Sequence, residues 1–413
     1  MTTLNQADST AVNTNTNVGT ALHAAVNGGM HEFLAQDRVI WGHSAAGAVL
    51  AEAERRGAQR IFIVTSKSLN RKTDAVQKLR NALGTRYVGT FDECQEHTPR
   101  HTVIAAANAV RAAEPDLILT FGGGTAIDTV KVLLIALAHG LTQASELSAY
   151  HLGVNPDGSR LAPVIKAPPM RQIVVSTTLS AAEFSNLGGC TDTERGVKDA
   201  YVGREIGAAA VILDPAVTVH TPEWLWLSTG IRAIDHAVEG LCSIEGSALV
   251  EATALQAIRL LGNSLGRTKK DPADMAARLE SMQGAWLSGF AIFRVPFGAS
   301  HGIGHALGAI TGMPHGYTSC VMLPHVLRFN QDHCGDKMQR IAAAFGRNDA
   351  DAARAVGDLI ASLGLPTRLR DAGVQEDQLD RIALGALGNM WVKTNPRPLT
   401  DKTAVRSLLD AAW

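Results

Sequence analysis

A parallel α/β half followed by an all-helical half is the fold class predicted for this 413-residue chain, and three features predict it. From Arg38 to Pro215, short β-branched runs alternate with helix-like stretches, the pattern of a parallel sheet with crossover helices. At 117–138, LILTFGGGTAIDTVKVLLIALA, an apolar strand runs straight into three glycines and then a helix. Beyond Pro215 the alternation stops and long stretches keep helical periodicity to the C-terminus.

In order, RVIWG precedes the helix-like AAGAVLAEAERRG, and IFIVTS (61–66) is the next strand. KTDAVQKLRNALG is a second helix, Tyr87-Val88-Gly89 begins a further strand, and HTVIAAANAVRAAEPD is a helix closed by Pro115-Asp116. The turn Gly122-Gly123-Gly124-Thr125 then opens a helix carrying Asp128 and Lys131. Glycines let the backbone approach a ligand closely, and the free N–H groups of a helix start attract an anion, so this turn has the physics of a phosphate cradle. Its spacing is not GxGxxG, so the ordinary Rossmann fingerprint does not apply. Residues 140–170 are a loop-rich insertion with the turn signals NPDGSR and APP. QIVVS (172–176) leads into Thr177-Thr178-Leu179-Ser180-Ala181-Ala182-Glu183, whose hydroxyls either hold a cofactor or cap a helix. A hairpin-like region ends at AAVILDP (209–215). The expected division is a disordered leader over 1–30, an α/β domain over 31–214 and a helical domain over 215–413, with the active site in the cleft between the domains.

Composition excludes several classes. With 46% hydrophobic and 19% charged residues the chain is globular rather than disordered. A net charge of −1 without a dense basic patch speaks against nucleic acid as a partner. The longest apolar run, Val132 to Ala138, is too short to span a bilayer, and the Thr/Asn/Ala-rich start lacks the apolar core of a signal peptide. Five scattered cysteines without CxxC spacing fit reduced thiols in the cytoplasm.

The densest chemistry lies in HGIGHALGAITGMPH (301–315). His301 and His305 are four apart and share one helix face, and Pro314 marks a helix boundary just before His315. A lone histidine is more often a surface or satisfied core residue. Three in fifteen residues, with glycines that allow close approach and with His236 upstream in GIRAIDHAVEG, indicate a site for metal or proton transfer.

These motifs resemble those of the iron-containing (group III) alcohol dehydrogenase superfamily. FGGGTAIDTVK resembles its cofactor motif, DPAVTVHTP the start of its helical domain, HGIGHALGAITGMPHGYTSCVMLPHVLRFN its histidine motif, and NPRPLT (395–400) its C-terminal signature. The resemblance implies a Rossmann-like dinucleotide-binding domain before an all-α catalytic domain, NAD(P)-linked oxidation of alcohols or reduction of carbonyls, often a divalent iron or zinc, and a homodimer. It implies that Gly122, Gly123, Gly124 and Thr125 bind the pyrophosphate with Asp128 and Lys131 close by, and that Thr177 and Thr178 lie near the nicotinamide. His236, His301 and His315 match three metal ligands, and His305 a histidine beside the reacting carbon.

The fourth ligand departs from the family pattern: its aspartate position holds Arg232. A guanidinium stays charged and offers no lone pair, which argues against iron or zinc. Arg232 can instead do the metal's electrostatic work or grip a substrate carboxylate, with Arg294 as a second positive group, so the expected substrate is a small anion. The bland reading is that Arg232 pairs with Asp235 or Glu239. TTLSAAE and Glu96-His97-Thr98-Pro99 resemble the maleylacetate reductase branch, which also lacks that aspartate. His305 is the expected proton donor or relay, with Arg232 stabilising negative charge. Ser66, Lys67 and Arg71 after IFIVTS tolerate a 2′-phosphate, so NADP is admissible and preferred over NAD. Rival readings are a dehydroquinate-synthase-like lyase and a nucleotide-binding pseudoenzyme.

Overall fold

The alternating half builds a parallel sheet. The computed structural model describes residues 29–154 and 160–413. The expected leader therefore falls almost wholly outside the described residues. The first half runs β1 (Arg38–Trp41), α1 (Ala45–Arg56), β2 (Ile61–Thr65), α2 (Lys67–Lys72), α3 (Ala75–Leu83), β3 (Tyr87–Phe91), α4 (Arg100–Ala113), β4 (Leu117–Gly122) and α5 (Gly124–His139). It continues with β5 (Gly153–Val154), β6 (Arg160–Leu161), β7 (Arg171–Ser176), β8 (Leu187–Asp192), β9 (Val197–Val202) and β10 (Ala208–Leu213). The sheet order is β1-β10-β7-β4-β2-β3, parallel throughout, while β5–β6 and β8–β9 are antiparallel pairs.

Burial on both faces explains the continuous apolar strands. Ile61 and Ile63 of β2 pack under α1 and α3, while Phe62 and Val64 face α4 and α5 on the opposite side. The expected insertion at 140–170 contains a short 3₁₀ turn (Ala144–Ala149) and the β5–β6 pair.

The second half is helical: α6 (Glu223–Cys242), α7 (Ala248–Lys270), α8 (Met275–Ser288), α9 (Ala299–Thr311), α10 (His315–Asn330), α11 (Lys337–Ala344), α12 (Ala352–Ser362), α13 (Leu379–Leu387), α14 (Met390–Lys393) and α15 (Lys402–Ala412). The boundary expected near Pro314 is a full helix break, with Gly312 at φ +72° ending α9 and Pro314 preceding α10. Val174, Val211 and Leu213 of the sheet share one core with Ile231 and Ile234 of α6 and Leu261 of α7. Phe33–Trp413 consequently form one compact unit, without a linker between the halves. Among the described residues no helix is long and apolar enough to cross a membrane.

Candidate active site between the sheet ends and the helical half

Ser66 follows β2 and Gly122–Gly124 end β4 and open α5; these parallel strands are adjacent, and the order in which successive strands are added changes side between them. Parallel sheets bind ligands at such a switch point, outside the carboxyl ends of the strands. Gly123 precedes α5 without any side-chain cap, so the first N–H groups of this helix are available to an anion. A Cβ on Gly123 would lie 2.6 Å from Thr178 Cγ2, so glycine is needed where the loop after β7 closes on the turn. Thr177 donates its N–H to Gly122 O at 3.1 Å, and Thr178 Oγ1 donates to Ser180 Oγ at 3.2 Å. Thr125 sits half-buried in the first turn of α5. Asp128 accepts the Gly189 N–H of β8 at 3.1 Å.

Lys131 departs from the expected cofactor contact. Its side chain is completely buried, and its ammonium donates to Ala182 O (2.7 Å), Leu187 O (2.6 Å) and Ser185 Oγ (3.1 Å). An ammonium so surrounded has no face left for a ligand; it pins α5 to the 182–187 segment. Ser66 Oγ accepts the Leu69 N–H of α2 at 3.3 Å, and Arg71 is held by Asp92 at 2.8 and 3.2 Å.

The histidines come together on three helices. α6 carries Arg232, Asp235, His236 and Glu239; α9 carries His301 and His305; α10 begins at His315. Gly302 and Gly304 let neighbours crowd α9, since a Cβ on either would lie 2.8 Å from Val392 N or Thr318 Oγ1. Glu239 accepts the N–H groups of Gly298 (3.0 Å), Ser300 (2.8 Å) and His301 (3.2 Å), so a residue of α6 caps α9. Burial and the neighbouring Asp235 push Glu239 up to about 8, against these three donors.

The imidazoles are neutral. Burial first, and then the nearby Arg232, hold His236 and His301 well below the ordinary histidine value; burial, Arg232 and Lys198 bring His305 to about 3. His301 Nδ1 lies 2.8 Å from Glu239 Oε2 and shares one proton with it. His236 stacks on Phe297 with ring centroids 5.6 Å apart. His301 Nε2, His236 Nδ1 and His315 Nδ1 have no hydrogen-bond partner among the described residues. His305 and His315 are half-buried, so the cluster opens on their side.

Arg232 is 8% exposed and makes one side-chain hydrogen bond among the described residues, to Ser319 Oγ at 3.1 Å. Its Nη1 lies 3.6 Å from Asp235 Oδ2, the pairing that the bland reading expected. Asp235 also accepts the hydroxyls of Ser300 (2.8 Å) and Ser319 (2.6 Å), so it neutralises Arg232 only in part. Among the described residues the other guanidinium N–H groups make no side-chain hydrogen bond.

A cation beside the histidines that the sequence did not point to is Lys198 of β9. Lys198 Nζ stands 3.4 Å from His315 Nε2, and the side chain is exposed on the open side of the cluster. Surrounding protein lowers its pKa, Asp128 opposing and Arg232 assisting. Arg294 Nη1 donates to Ile292 O at 2.7 Å, and its charge acts on Lys131. His97 also joins the group, edge-on to His315 at 6.5 Å between ring centroids. Sequence reasoning missed Lys198 because nothing on a two-stranded hairpin signals which helix it will face. It also missed Asn389, whose Nδ2 lies 3.1 Å from His305 Nδ1.

Residues 36–215 match the family model for iron-containing alcohol dehydrogenases, and residues 226–413 match that for the C-terminal region of the same family. Dehydrogenase ALT3 of Alternaria alternata is 33% identical over 86% of this chain and 99% of its own length. The chain belongs to the iron-containing alcohol dehydrogenase family. Within this family it lies near the maleylacetate reductases. The enzyme of that name from Burkholderia cepacia is 30% identical over 91% of this chain and 95% of its own. The crystal structure of maleylacetate reductase from Rhizobium sp. strain MTP-10005 shares the fold with a TM-score of 0.76 at 28% identity, covering 93% of this chain and 99% of that one. A 1,3-propanediol oxidoreductase does so with a TM-score of 0.83 at 28% identity, covering 93% and 100%. Like its relatives, this iron-containing alcohol dehydrogenase family member is an oxidoreductase, a dehydrogenase or reductase.

The family binds NAD(P) and typically a metal. The uncapped start of α5 at the switch point fits a dinucleotide. The histidine cluster does not fit a divalent cation. Its three unpartnered ring nitrogens are of ligand type, but a buried guanidinium stands at the fourth position and an ammonium faces His315. Asp235, Glu239 and His301 place ligand-type atoms within 4.8 Å of one another, yet backbone N–H groups and hydroxyls already occupy the carboxylates.

Proposed function

We propose that this oxidoreductase transfers hydride between NAD(P) and a small carboxylate-bearing carbonyl or alcohol, or an activated double bond, without a divalent metal. The observation that carries the reading is Arg232, a buried guanidinium with one hydrogen bond, set among four neutral imidazoles. In this reading Gly122, Gly123, Gly124, Thr125 and the start of α5 hold the pyrophosphate, and Thr177 and Thr178 border the nicotinamide. The cofactor supplies or accepts the hydride. Arg232 binds the anionic group or the oxygen that gains charge, more strongly than an exposed arginine would because its guanidinium is buried. Lys198 adds positive potential at the open side, and His305 meets the reacting end of the substrate. Ser66 after β2 admits NADP, but Arg71 is already neutralised by Asp92, so the proposed cofactor range is NADH and NADPH alike rather than NADPH by preference.

Five free cysteines, four of them buried, support a reducing cytoplasmic setting. β1 at one edge of the sheet has an unpaired outer side among the described residues, which supports a homodimer. A maleylacetate reductase proper is a second reading, favoured by relatives of that name at 27–30% identity.

Elemental analysis of fresh protein, with a chelator-controlled assay over oxo-acids and simple aldehydes, tests the proposal. The expected result is no stoichiometric iron or zinc, activity indifferent to chelation, and preference for anionic substrates. Arg232→Ala should then lower kcat/KM for carboxylates by about 100-fold, the scale of a charge-assisted contact in a dry site, and for neutral aldehydes far less. Stoichiometric metal with activity lost on chelation overturns it. Net turnover of NAD(P)H separates it from the lyase and the pseudoenzyme.

A further inference from the structure

Asn389 precedes the short helix α14, and its Oδ1 accepts the backbone N–H of Trp391 at 3.0 Å. Only the oxygen end of an amide can accept, so this contact fixes the side chain's orientation. The end facing His305 Nδ1, at 3.1 Å, is therefore the NH₂ group. A donor there requires a lone pair on Nδ1. An imidazolium, with hydrogens on both nitrogens, would set N–H against N–H. The ring must be neutral and its single proton must sit on Nε2. Trp391 packs against the same ring at 4.7 Å between centroids and limits its rotation. His305 Nε2 has no protein acceptor among the described residues, and the ring is half-buried at the open side of the cluster.

We infer that Asn389 is a positioning residue that locks His305 in its Nε2–H tautomer, so that the site presents a neutral imidazole N–H to the substrate oxygen. The inference deepens the proposed function, on which its catalytic half rests. It also changes the role expected of His305. Giving up the Nε2 proton would leave an imidazolate, and Asn389 cannot deliver a replacement proton to Nδ1. His305 therefore keeps its proton and polarises the oxygen by hydrogen bonding, as neutral histidines do beside carbonyls elsewhere. When hydride reaches a carbonyl carbon, the C=O π pair moves to oxygen, and the proton that completes the alcohol comes from water on the open side.

Long-range ¹H–¹⁵N correlation spectra of protein labelled with ¹⁵N-histidine test this, with His305 assigned by its absence in His305→Gln. The wild type should show Nε2 protonated and Nδ1 bare near neutral pH. Asn389→Asp keeps the shape and the cap on Trp391 but puts an acceptor beside Nδ1. It should invert the tautomer and lower kcat about 100-fold while leaving NADH affinity, read by fluorescence titration, unchanged. Asn389→Ser also retains a cap, and its shorter hydroxyl withdraws the NH₂ donor from Nδ1, so it should give mixed tautomers and an intermediate kcat even if the aspartate variant folds poorly. A wild-type ring protonated at Nδ1, or an inverted tautomer with full kcat, overturns the inference. The spectra need no turnover, so they decide the tautomer even if every assayed substrate fails and the proposed function falls.

Discussion

A guanidinium holds its charge at every pH a folded protein meets, so in the proposed function Arg232 on α6 turns a ring of histidines from a cation site into an anion site. The exchange is local: His236, His301 and His315 still leave one bare or unpartnered nitrogen each. Arg232→Asp should therefore remove the opposing charge, complete a four-ligand set and bind about one zinc per chain, whereas the wild type binds none. Equilibrium dialysis followed by elemental analysis checks this, and equal zinc in both proteins would refute it. The residues in HGIGHALGAITGMPH could be picked out from sequence because spacing on one helix is local geometry. Pairing across elements is not: Lys131 had the motif of a ligand contact but spends its ammonium on three protein acceptors.

At the scale of elements, the site depends on how closely α9 meets α6, α10 and α14, and on a hairpin reaching across from the α/β half. That hairpin, β8–β9, carries Lys198 and is fastened by Arg100, which donates to Asp192 at 2.7 Å and Asp199 at 2.6 Å. Arg195 binds both carboxylates as well. Its side-chain hydrogen bond, then its backbone N–H and the charge of Arg100, hold Asp192 at about 2. A carboxylate depressed in the folded state adds stability above its unfolded value near 3.9, and that stability fades as pH falls through the folded value. Hydrogen-exchange protection of β8–β9 should thus decline between pH ~4 and ~2, ahead of the central strand β4. Simultaneous loss in both elements would count against a hairpin fastened by these charges.

For the molecule as a whole, the two halves are not separable modules. Sheet residues Val174, Val211 and Leu213 lie in the core of α6, α7 and α8, and the site is built where the halves meet. The open side of β1 bears on assembly: sedimentation velocity should give twice the chain mass, and a monomer at micromolar concentration would rule out the proposed homodimer. Alternation of apolar runs with helical stretches was enough to read an α/β half and a helical half, because hydrophobic periodicity is set by each element's own geometry. It did not show that both halves would share one core, since that depends on which faces meet.

By itself the sequence determined the parallel strands and their crossover helices, the glycine turn before α5, and the helical pairing of His301 with His305, all properties of neighbours along the chain. That Arg232 stands where a ligand carboxylate is usual followed from the resemblance to the family. Only the tertiary structure decided that Lys198 faces His315, that Glu239 caps α9, and that Asn389 holds His305. Those contacts join residues 59 to 117 positions apart. At such separations a pairing depends on how whole elements pack, which no local pattern encodes.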